Sequence, residues 1–203
     1  MLIDPGADAT HLIQRLEQMN LVPQTIVFTH GHIDHTSSAT SIRNHFKDRT
    51  DSIQIGIHEQ DATYLGTTGV EKNRTVFSHF GEPGREAFES YPQETPEPDF
   101  FISEGETIAD SDLMVLHIGG HTPGSCCFYS EAREALFTGD VLFFNGIGRT
   151  DYPEGNDETV LSGIQERLFD LPPETRVFPG HGPLTSVERE QKNNPLQSGG
   201  SPF

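Results

Sequence analysis

Hydrophobic residues along the chain occur either at a helical spacing of three to four positions or in short apolar runs. The helical spacing predicts amphipathic helices over residues 8–20, 37–46 and 157–170. Runs rich in β-branched and aromatic residues, some of them alternating with polar ones, predict strands over residues 24–28, 53–57, 100–102, 113–118, 126–129, 135–137 and 175–178. The chain is therefore expected to contain several helices and short strands.

The hydrophobic periodicity is lost between residues 66 and 99. Glycines and prolines are interleaved there with aromatic residues. A loop this long inside a compact domain is usually functional or disordered, and the aromatic residues argue against disorder. We expect a lid or pocket wall rather than a plain surface insertion, with His79 as a candidate for substrate contact.

The segment with the densest candidate chemistry is residues 29–36, which read T-H-G-H-I-D-H-T directly after the strand predicted over 24–28. Four ligand-type side chains fall within six positions: His30, His32, Asp34 and His35. Imidazole nitrogens and carboxylate oxygens are the donors that zinc and similar metals prefer. A polar loop with histidines placed by chance is the alternative, but the density of donors favours a metal site at the carboxyl end of the strand.

Three later strands end in the same way, with a glycine followed by a ligand-type residue. The pairs are Gly120-His121, Gly139-Asp140 and Gly180-His181. A glycine beside a ligand allows close approach of the backbone and conformations that other residues avoid. One such pair is usually an ordinary turn, but four strand ends of this kind favour a single site at one edge.

Composition narrows the possible partners and the compartment. The 203 residues include 13 basic and 31 acidic ones, and the formal charge of −18 disfavours nucleic-acid binding. The only two cysteines, Cys126 and Cys127, are adjacent, which implies no disulfide framework and fits a reducing compartment. With no signal peptide or membrane-spanning run recognisable, we expect a cytoplasmic protein that does not bind membranes. One domain is predicted over residues 1–195, followed by a flexible tail over 196–203.

The chain resembles the metallo-β-lactamase superfamily from Leu2 to about Pro195. Four motifs carry the resemblance, in this order: H-x-H-x-D-H, G-G-H-T-P-G-S, T-G-D and P-G-H-G-P. The resemblance implies an α/β fold, an αββα four-layer sandwich with a dinuclear metal site at one end. By position it also implies the ligands of each metal: His30, His32 and His121 for one, Asp34, His35 and His181 for the other, with Asp140 bridging both. Asp34 and Asp140 are then the candidate catalytic residues.

The implied cofactors are two divalent metal ions, with zinc expected first and iron or manganese as alternatives. Two such ions can share a hydroxide whose pKa falls to roughly 7, which provides a nucleophile at neutral pH. One ion can polarise the substrate carbonyl while the other stabilises the developing anion. The implied activity is hydrolysis.

The stretch G-I-G-R-T-D over residues 146–151 is similar to glyoxalase II-like hydrolases and to persulfide dioxygenases. A structural turn held by an Arg149–Asp151 ion pair is an equally good interpretation. Only 22 residues follow His181, and Pro183 stands where these enzymes usually have tyrosine. The short form resembles the compact bacterial glyoxalase II-like hydrolases.

The beginning of the chain also departs from the family, which generally has a strand pair before the segment that matches residues 2–6. We expect this pair to be missing here. Asp4 in this segment could orient a histidine of the ligand-rich loop, or it could serve a turn or a helix cap.

The leading hypothesis is a metal-dependent hydrolase of a small-molecule thioester or thiol conjugate, such as an acyl-glutathione. The alternative is a mononuclear-iron persulfide dioxygenase using only His30, His121 and Asp140. A second alternative is a metal-binding protein without turnover. The sequence does not decide among oligomeric states.

Overall fold

The computed structural model describes residues 1–6, 8–50 and 52–198. The chain divides into two compact units, Met1–Phe101 and Ile102–Phe203. Each unit has its own sheet and helices, and the prediction of a single domain over residues 1–195 stays a prediction. Among the described residues, no helix is long and apolar enough to cross a membrane.

The first unit contains a sheet with the strand order β1-β2-β3-β4, in which β1, β2 and β3 are parallel. Its strands are β1 (Leu2–Ile3), β2 (Thr25–Val27), β3 (Gln54–His58) and β4 (Phe100–Ile102), the last at the boundary between the units. Its α-helices are α1 (Ala9–Gln18), α2 (Ile33–Thr36), α3 (Ala39–Phe46), α4 (Gly66–Ser78) and α5 (Gly81–Glu89). A 3₁₀ helix over Glu59–Tyr64 connects β3 to α4.

The core of the first unit lies between the sheet and the helices α1 and α3. Leu16 of α1 and Ile42 of α3 are buried in one cluster with Ile26 and Ile55, which are register partners on β2 and β3. Asp8 begins α1 as its N-cap, accepting hydrogen bonds from the backbone N–H groups of Thr10 and His11, as predicted. This packing holds β2 so that the ligand-rich loop leaves its carboxyl end.

Residues 66–99 include the two helices α4 and α5, so the prediction of a long irregular segment is wrong. The buried residues of α4 are Gly66, Gly69, Asn73 and Val76. They recur at helical spacing, but most of them are small or polar, so a search for hydrophobic periodicity does not find the helix. That this segment covers a substrate site stays a prediction.

The second unit contains a sheet with the strand order β11-β10-β7-β6-β5 and a separate two-stranded hairpin. The sheet strands are β5 (Met114–His117), β6 (Cys126–Ser130), β7 (Ala135–Gly139), β10 (Arg176–Pro179) and β11 (Thr185–Ser186). The hairpin strands are β8 (Leu142–Phe143) and β9 (Gly146–Ile147). The helices are α6 (Asp157–Gly163), which continues as a π-helical stretch over Ile164–Leu168, and α7 (Val187–Asn193).

The core of the second unit lies between its sheet and the helices α6 and α7. Val160 and Ile164 from the α6 segment and Val187 from α7 are buried in one cluster with Leu136 of β7 and Val177 of β10. Strands β7 and β10 run parallel, so their carboxyl ends lie side by side. This arrangement places the residues that follow the two strands next to each other.

The predicted flexible tail over residues 196–203 is described only in part. Pro195–Ser198 form a short 3₁₀ helix. The remaining positions, 199–203, lie outside the described residues, and the flexibility predicted for them stays a prediction.

Candidate metal centre

The ligand-rich loop of the first unit runs from the end of β2 into α2. His30, His32 and His35 are almost fully buried there. The ring centroids of His30 and His32 lie 4.7 Å apart, and those of His30 and His35 lie 4.2 Å apart. Asp34, in the first turn of α2, has an Oδ2 atom 3.8 Å from Nε2 of His35. The structure therefore brings the four ligand-type residues of this loop into one cluster.

Asp4 lies beside this cluster and contacts His35 of the cluster and Thr29, which precedes it. Its carboxylate accepts hydrogen bonds from the backbone N–H of Thr29 at 2.7 Å and from the Thr29 hydroxyl at 2.6 Å. Its Oδ2 atom lies 3.0 Å from Nδ1 of His35. Since a carboxylate only accepts, Nδ1 of His35 carries the proton and Nε2 remains the donor for a metal. The orienting role considered for Asp4 thus agrees with the geometry.

In the second unit, Asp140 lies between the other two predicted ligands of that unit. Its Oδ2 atom is 3.7 Å from Nε2 of His121 and 3.5 Å from Nε2 of His181. Asp140 follows β7 and His181 follows β10, and the N–H of Gly180 donates to the carbonyl of Gly139 at 2.8 Å. The parallel pairing of these strands is what places the two ligands together.

His121 is oriented by groups that the sequence did not identify. Its Nδ1 atom lies 2.8 Å from the carbonyl oxygen of Arg149, and Tyr152 donates a hydrogen bond to the His121 carbonyl. The phenol oxygen of Tyr152 is also 3.3 Å from Nδ1 of His121. Because a carbonyl only accepts, Nδ1 carries the proton and Nε2 faces Asp140. Tyr152 was missed because a single tyrosine in a turn carries no recognisable pattern.

Two glycines allow the backbone to approach these ligands closely. A Cβ on Gly148 would lie 1.7 Å from the carbonyl oxygen of Asp140. Gly120 has a φ of +88°, and a Cβ there would lie 2.6 Å from the backbone nitrogen of Val160. Only glycine fits both positions without displacing a ligand or the start of α6.

The Arg149–Asp151 ion pair expected in the G-R-T-D stretch is present, with Arg149 Nη2 2.7 Å from Asp151 Oδ2. Both side chains are more than half exposed, so the pair contributes little to stability. The hydrogen bonds that Arg149 donates to the Asp151 carboxylate raise the pKa of Arg149 above its ordinary value. The Arg149 carbonyl, and not this ion pair, is the part of Arg149 that contacts a predicted ligand, His121.

The remaining histidines are engaged elsewhere or exposed. His58 Nδ1 accepts the N–H of Gln60, His117 Nε2 lies 2.9 Å from the carbonyl of Pro123, and His45 pairs with Glu17 at 3.0 Å. His79 is exposed at the end of α4. Substrate contact by His79 stays a prediction.

Tyr91, which follows α5, is a further polar group near the cluster of the first unit. Burial and then the negative charge of Asp34 raise the pKa of Tyr91 above its ordinary value. The phenol therefore stays protonated near neutral pH and can donate a hydrogen bond. In contrast, burial raises the pKa of Cys127 so far that its thiol is not a nucleophile at neutral pH.

The donor sets of both units fit divalent metal ions. In the first unit, the buried imidazole of His30 lies beside those of His32 and His35, at ring-centroid distances of 4.7 and 4.2 Å. In the second unit, Asp140 offers a carboxylate between two imidazoles. Buried imidazoles whose second nitrogen is held by a carboxylate or a carbonyl are typical of metal ligands in proteins.

Comparison with known proteins places the chain in a family. The family model described as the metallo-β-lactamase superfamily matches residues 1–181, which include every predicted ligand. The hydroxyacylglutathione hydrolase GloC of Haemophilus influenzae is 36% identical over 199 residues, covering 96% of this chain and 85% of its own length.

Two solved structures have a closely similar fold. The BLEG-1 B3 metallo-β-lactamase has a TM-score of 0.79 at 33% identity and covers 96% of this chain and 86% of its own. TTHA1623 in a di-iron-bound form has a TM-score of 0.79 at 29% identity and covers 96% of this chain and 87% of its own. The predicted fold class is thereby confirmed, and the chain belongs to the metallo-β-lactamase superfamily.

Proposed function

We propose that this protein is a metal-dependent hydrolase that cleaves a small-molecule thioester, such as an acyl-glutathione. The proposed centre holds two divalent metal ions, with zinc as the first candidate. Its proposed ligands are the seven positions of the family motifs: His30, His32, Asp34, His35, His121, Asp140 and His181. The observation that carries the proposal is the family match over all seven positions, together with the likeness to a relative named hydroxyacylglutathione hydrolase.

The geometry within each unit supports the assignment of ligands. Asp4 contacts Nδ1 of His35, which leaves Nε2 of that ring available to bind a metal. The Arg149 carbonyl contacts Nδ1 of His121 and leaves its Nε2 available in the same way. Asp140 lies between two imidazoles of its unit, as a bridging carboxylate would require. Protein groups thus orient these rings before a metal binds.

Metal ions held there would lower the pKa of water to supply a nucleophile at neutral pH and would polarise the thioester carbonyl. The residues of the chain then have to hold the substrate beside the metal-bound water. The protonated phenol of Tyr91, close to Asp34, is a candidate hydrogen-bond donor to the substrate. The cysteines are poor candidates for a covalent route, because both are buried.

A persulfide dioxygenase is the second candidate. The di-iron form of TTHA1623 makes iron a reasonable occupant of a related site. A mononuclear iron would need His30, His121 and Asp140 as ligands, with coordination positions left open for oxygen and substrate. His181 would then be dispensable, whereas a dinuclear hydrolase requires it.

The proposed setting is cytoplasmic, and the substrate is a small molecule rather than a nucleic acid. The formal charge of −18 supports this choice, because phosphate backbones require basic surfaces. Cys126 and Cys127, buried and adjacent, fit a reducing compartment.

One preparation tests the proposal against its alternatives. Protein purified without added metal is analysed for metal content and assayed for cleavage of a hydroxyacyl-glutathione and for oxygen uptake with glutathione persulfide. We expect two metal equivalents and thioester cleavage without oxygen uptake. His181→Ala should lose one equivalent and at least about 100-fold in kcat.

His45→Ala serves as the control, because His45 pairs with Glu17 on the surface and is not a proposed ligand. It should retain both metals and full activity. Oxygen uptake that survives His181→Ala would establish the dioxygenase instead. Metal binding with neither reaction would support a binding protein without turnover.

A further inference from the structure

The ligand-rich loop alternates proposed ligands with residues that offer no metal donor. Gly31 stands between His30 and His32, and Ile33 stands between His32 and Asp34. The backbone groups of these two residues lie on either side of the His32 side chain and can be held without contacting a donor atom. Both are held by the side chain of a residue far along the chain.

That residue is Asn73, at the centre of α4 and fully buried. Its Oδ1 atom accepts the N–H of Ile33 at 2.8 Å, and its Nδ2 atom donates to the carbonyl of Gly31 at 3.3 Å. The same Nδ2 atom lies 3.0 Å from the carbonyl of Gly69 and 3.3 Å from that of Tyr64. One amide thus joins the loop to α4 and to the 3₁₀ helix before it.

A second buried side chain holds the same loop. Oδ2 of Asp61, which is fully buried, accepts the N–H of Gly31 at 2.9 Å. A Cβ on Gly31 would lie 2.2 Å from Cβ of Tyr64, so the loop lies directly against the 3₁₀ helix. The N–H, the carbonyl and the Cα of Gly31 are each fixed by the segment that precedes or forms α4.

We infer that Asn73 is a positioning residue for the metal ligands, with Asp61 in support. Its amide fixes the backbone on both sides of His32, and through it the spacing of the imidazole donors. A rigid loop binds a metal more tightly, because the ligands do not have to be ordered when the ion arrives. This inference rests on the proposed metal-binding function.

The decisive variant is Asn73→Ser. A serine hydroxyl on a helix can bond to the carbonyl four residues earlier, here that of Gly69, but it is too short to replace the amide's bonds to the loop. The matched control is Val76→Ala, one turn further along the same buried face of α4. Asp61→Ala removes the support at the Gly31 N–H and provides a second variant if Asn73→Ser does not fold.

Three measurements are made on each variant: Zn²⁺ affinity by chelator competition, unfolding by denaturant in the metal-free form, and hydrogen exchange at the Ile33 N–H. We expect Asn73→Ser to weaken Zn²⁺ binding by roughly 10- to 100-fold and to lose protection at Ile33. Asp61→Ala should weaken Zn²⁺ binding less, in the same direction. Val76→Ala should lose stability while its Zn²⁺ affinity stays within about twofold of the wild-type value.

The outcomes separate this inference from the proposed function. If the wild type binds Zn²⁺ tightly and Asn73→Ser, or Asp61→Ala in its place, binds it equally well, the positioning role is overturned and the proposed function stands. Equal losses of affinity in Asn73→Ser and Val76→Ala would also overturn it, because general destabilisation would then explain both. A wild-type protein that binds no Zn²⁺, Fe²⁺ or Mn²⁺ would overturn the proposed function and this inference with it.

Discussion

The Nδ1 atom of His121 lies 2.8 Å from the carbonyl oxygen of Arg149, so the backbone of the G-R-T-D stretch orients a proposed metal ligand. The Arg149 side chain does not take part in this contact and pairs instead with Asp151 at the surface. Substitutions that spare or displace this backbone should therefore have different effects on the metal centre.

Gly148→Ala should lower metal content, whereas Arg149→Ala should not. A Cβ at position 148 would lie 1.7 Å from the Asp140 carbonyl oxygen and 3.1 Å from Nδ1 of His121, so Asp140 or the loop must move. Arg149→Ala keeps the carbonyl and removes an exposed ion pair with Asp151, which contributes about 0–1 kcal/mol. Metal analysis and unfolding measurements on both variants test this difference, and equal metal content in the two would contradict it.

Asp140→Ala should cost more metal than any single histidine substitution. The proposal gives Asp140 a bond to both metal ions, and its carboxylate lies between two imidazoles of its unit. Stoichiometry measured across an alanine series of the seven positions provides the comparison. An Asp140→Ala variant with two full metal equivalents would rule out the bridging assignment.

Tyr91→Phe should raise KM or lower kcat about 2- to 10-fold, the scale of one lost neutral hydrogen bond. Because burial and Asp34 raise the pKa of Tyr91, the phenol is protonated at every pH below its ordinary value. The variant should therefore change the height of the pH–rate profile below about pH 10 but not its shape. Steady-state kinetics from pH 6 to 9 on metal-replete wild-type and Tyr91→Phe protein test this. A new or vanished ionisation in the profile would contradict it.

Stability should fall as the pH rises above about 9, in part because of Cys127. Its folded-state pKa is raised by burial, so the folded protein keeps a proton that the unfolded chain loses above its ordinary pKa of 9.0. The contribution of this thiol to the free energy of unfolding is fully present below pH 9. Above that pH it declines by up to about 1.4 kcal/mol per pH unit. Unfolding by denaturant at pH 8 and pH 10.5 should show a smaller decline in Cys127→Ala. An identical decline in both proteins would contradict this origin.

The residues of the proposed site could be singled out from the sequence because they are concentrated at strand ends. His30 follows β2 and Asp140 follows β7, and each is marked by apolar residues before it. The strand ends are recognisable because burial requires runs of β-branched and aromatic side chains. The side chains that orient these proposed ligands do not follow an apolar run, so the sequence gives no comparable signal for them.

Helix α4 shows why the supporting residues escaped prediction. Its buried face uses Gly69 and Asn73, which pack closely or form hydrogen bonds and do not contribute hydrophobic area. A polar residue buried in a helix looks identical in sequence to one on its surface. The β8–β9 hairpin was missed for a different reason, because strands of two residues are too short to show a period.

The parallel pairing of β7 and β10 also has a consequence for the order in which the protein can acquire metal. The first unit, with its cluster of three histidines and Asp34, is synthesised before β10. Asp140 gains His181 as its neighbour only after β10 has been added beside β7. If the proposed ligands are correct, the histidine cluster of the first unit is therefore made before the second unit has completed its share of them.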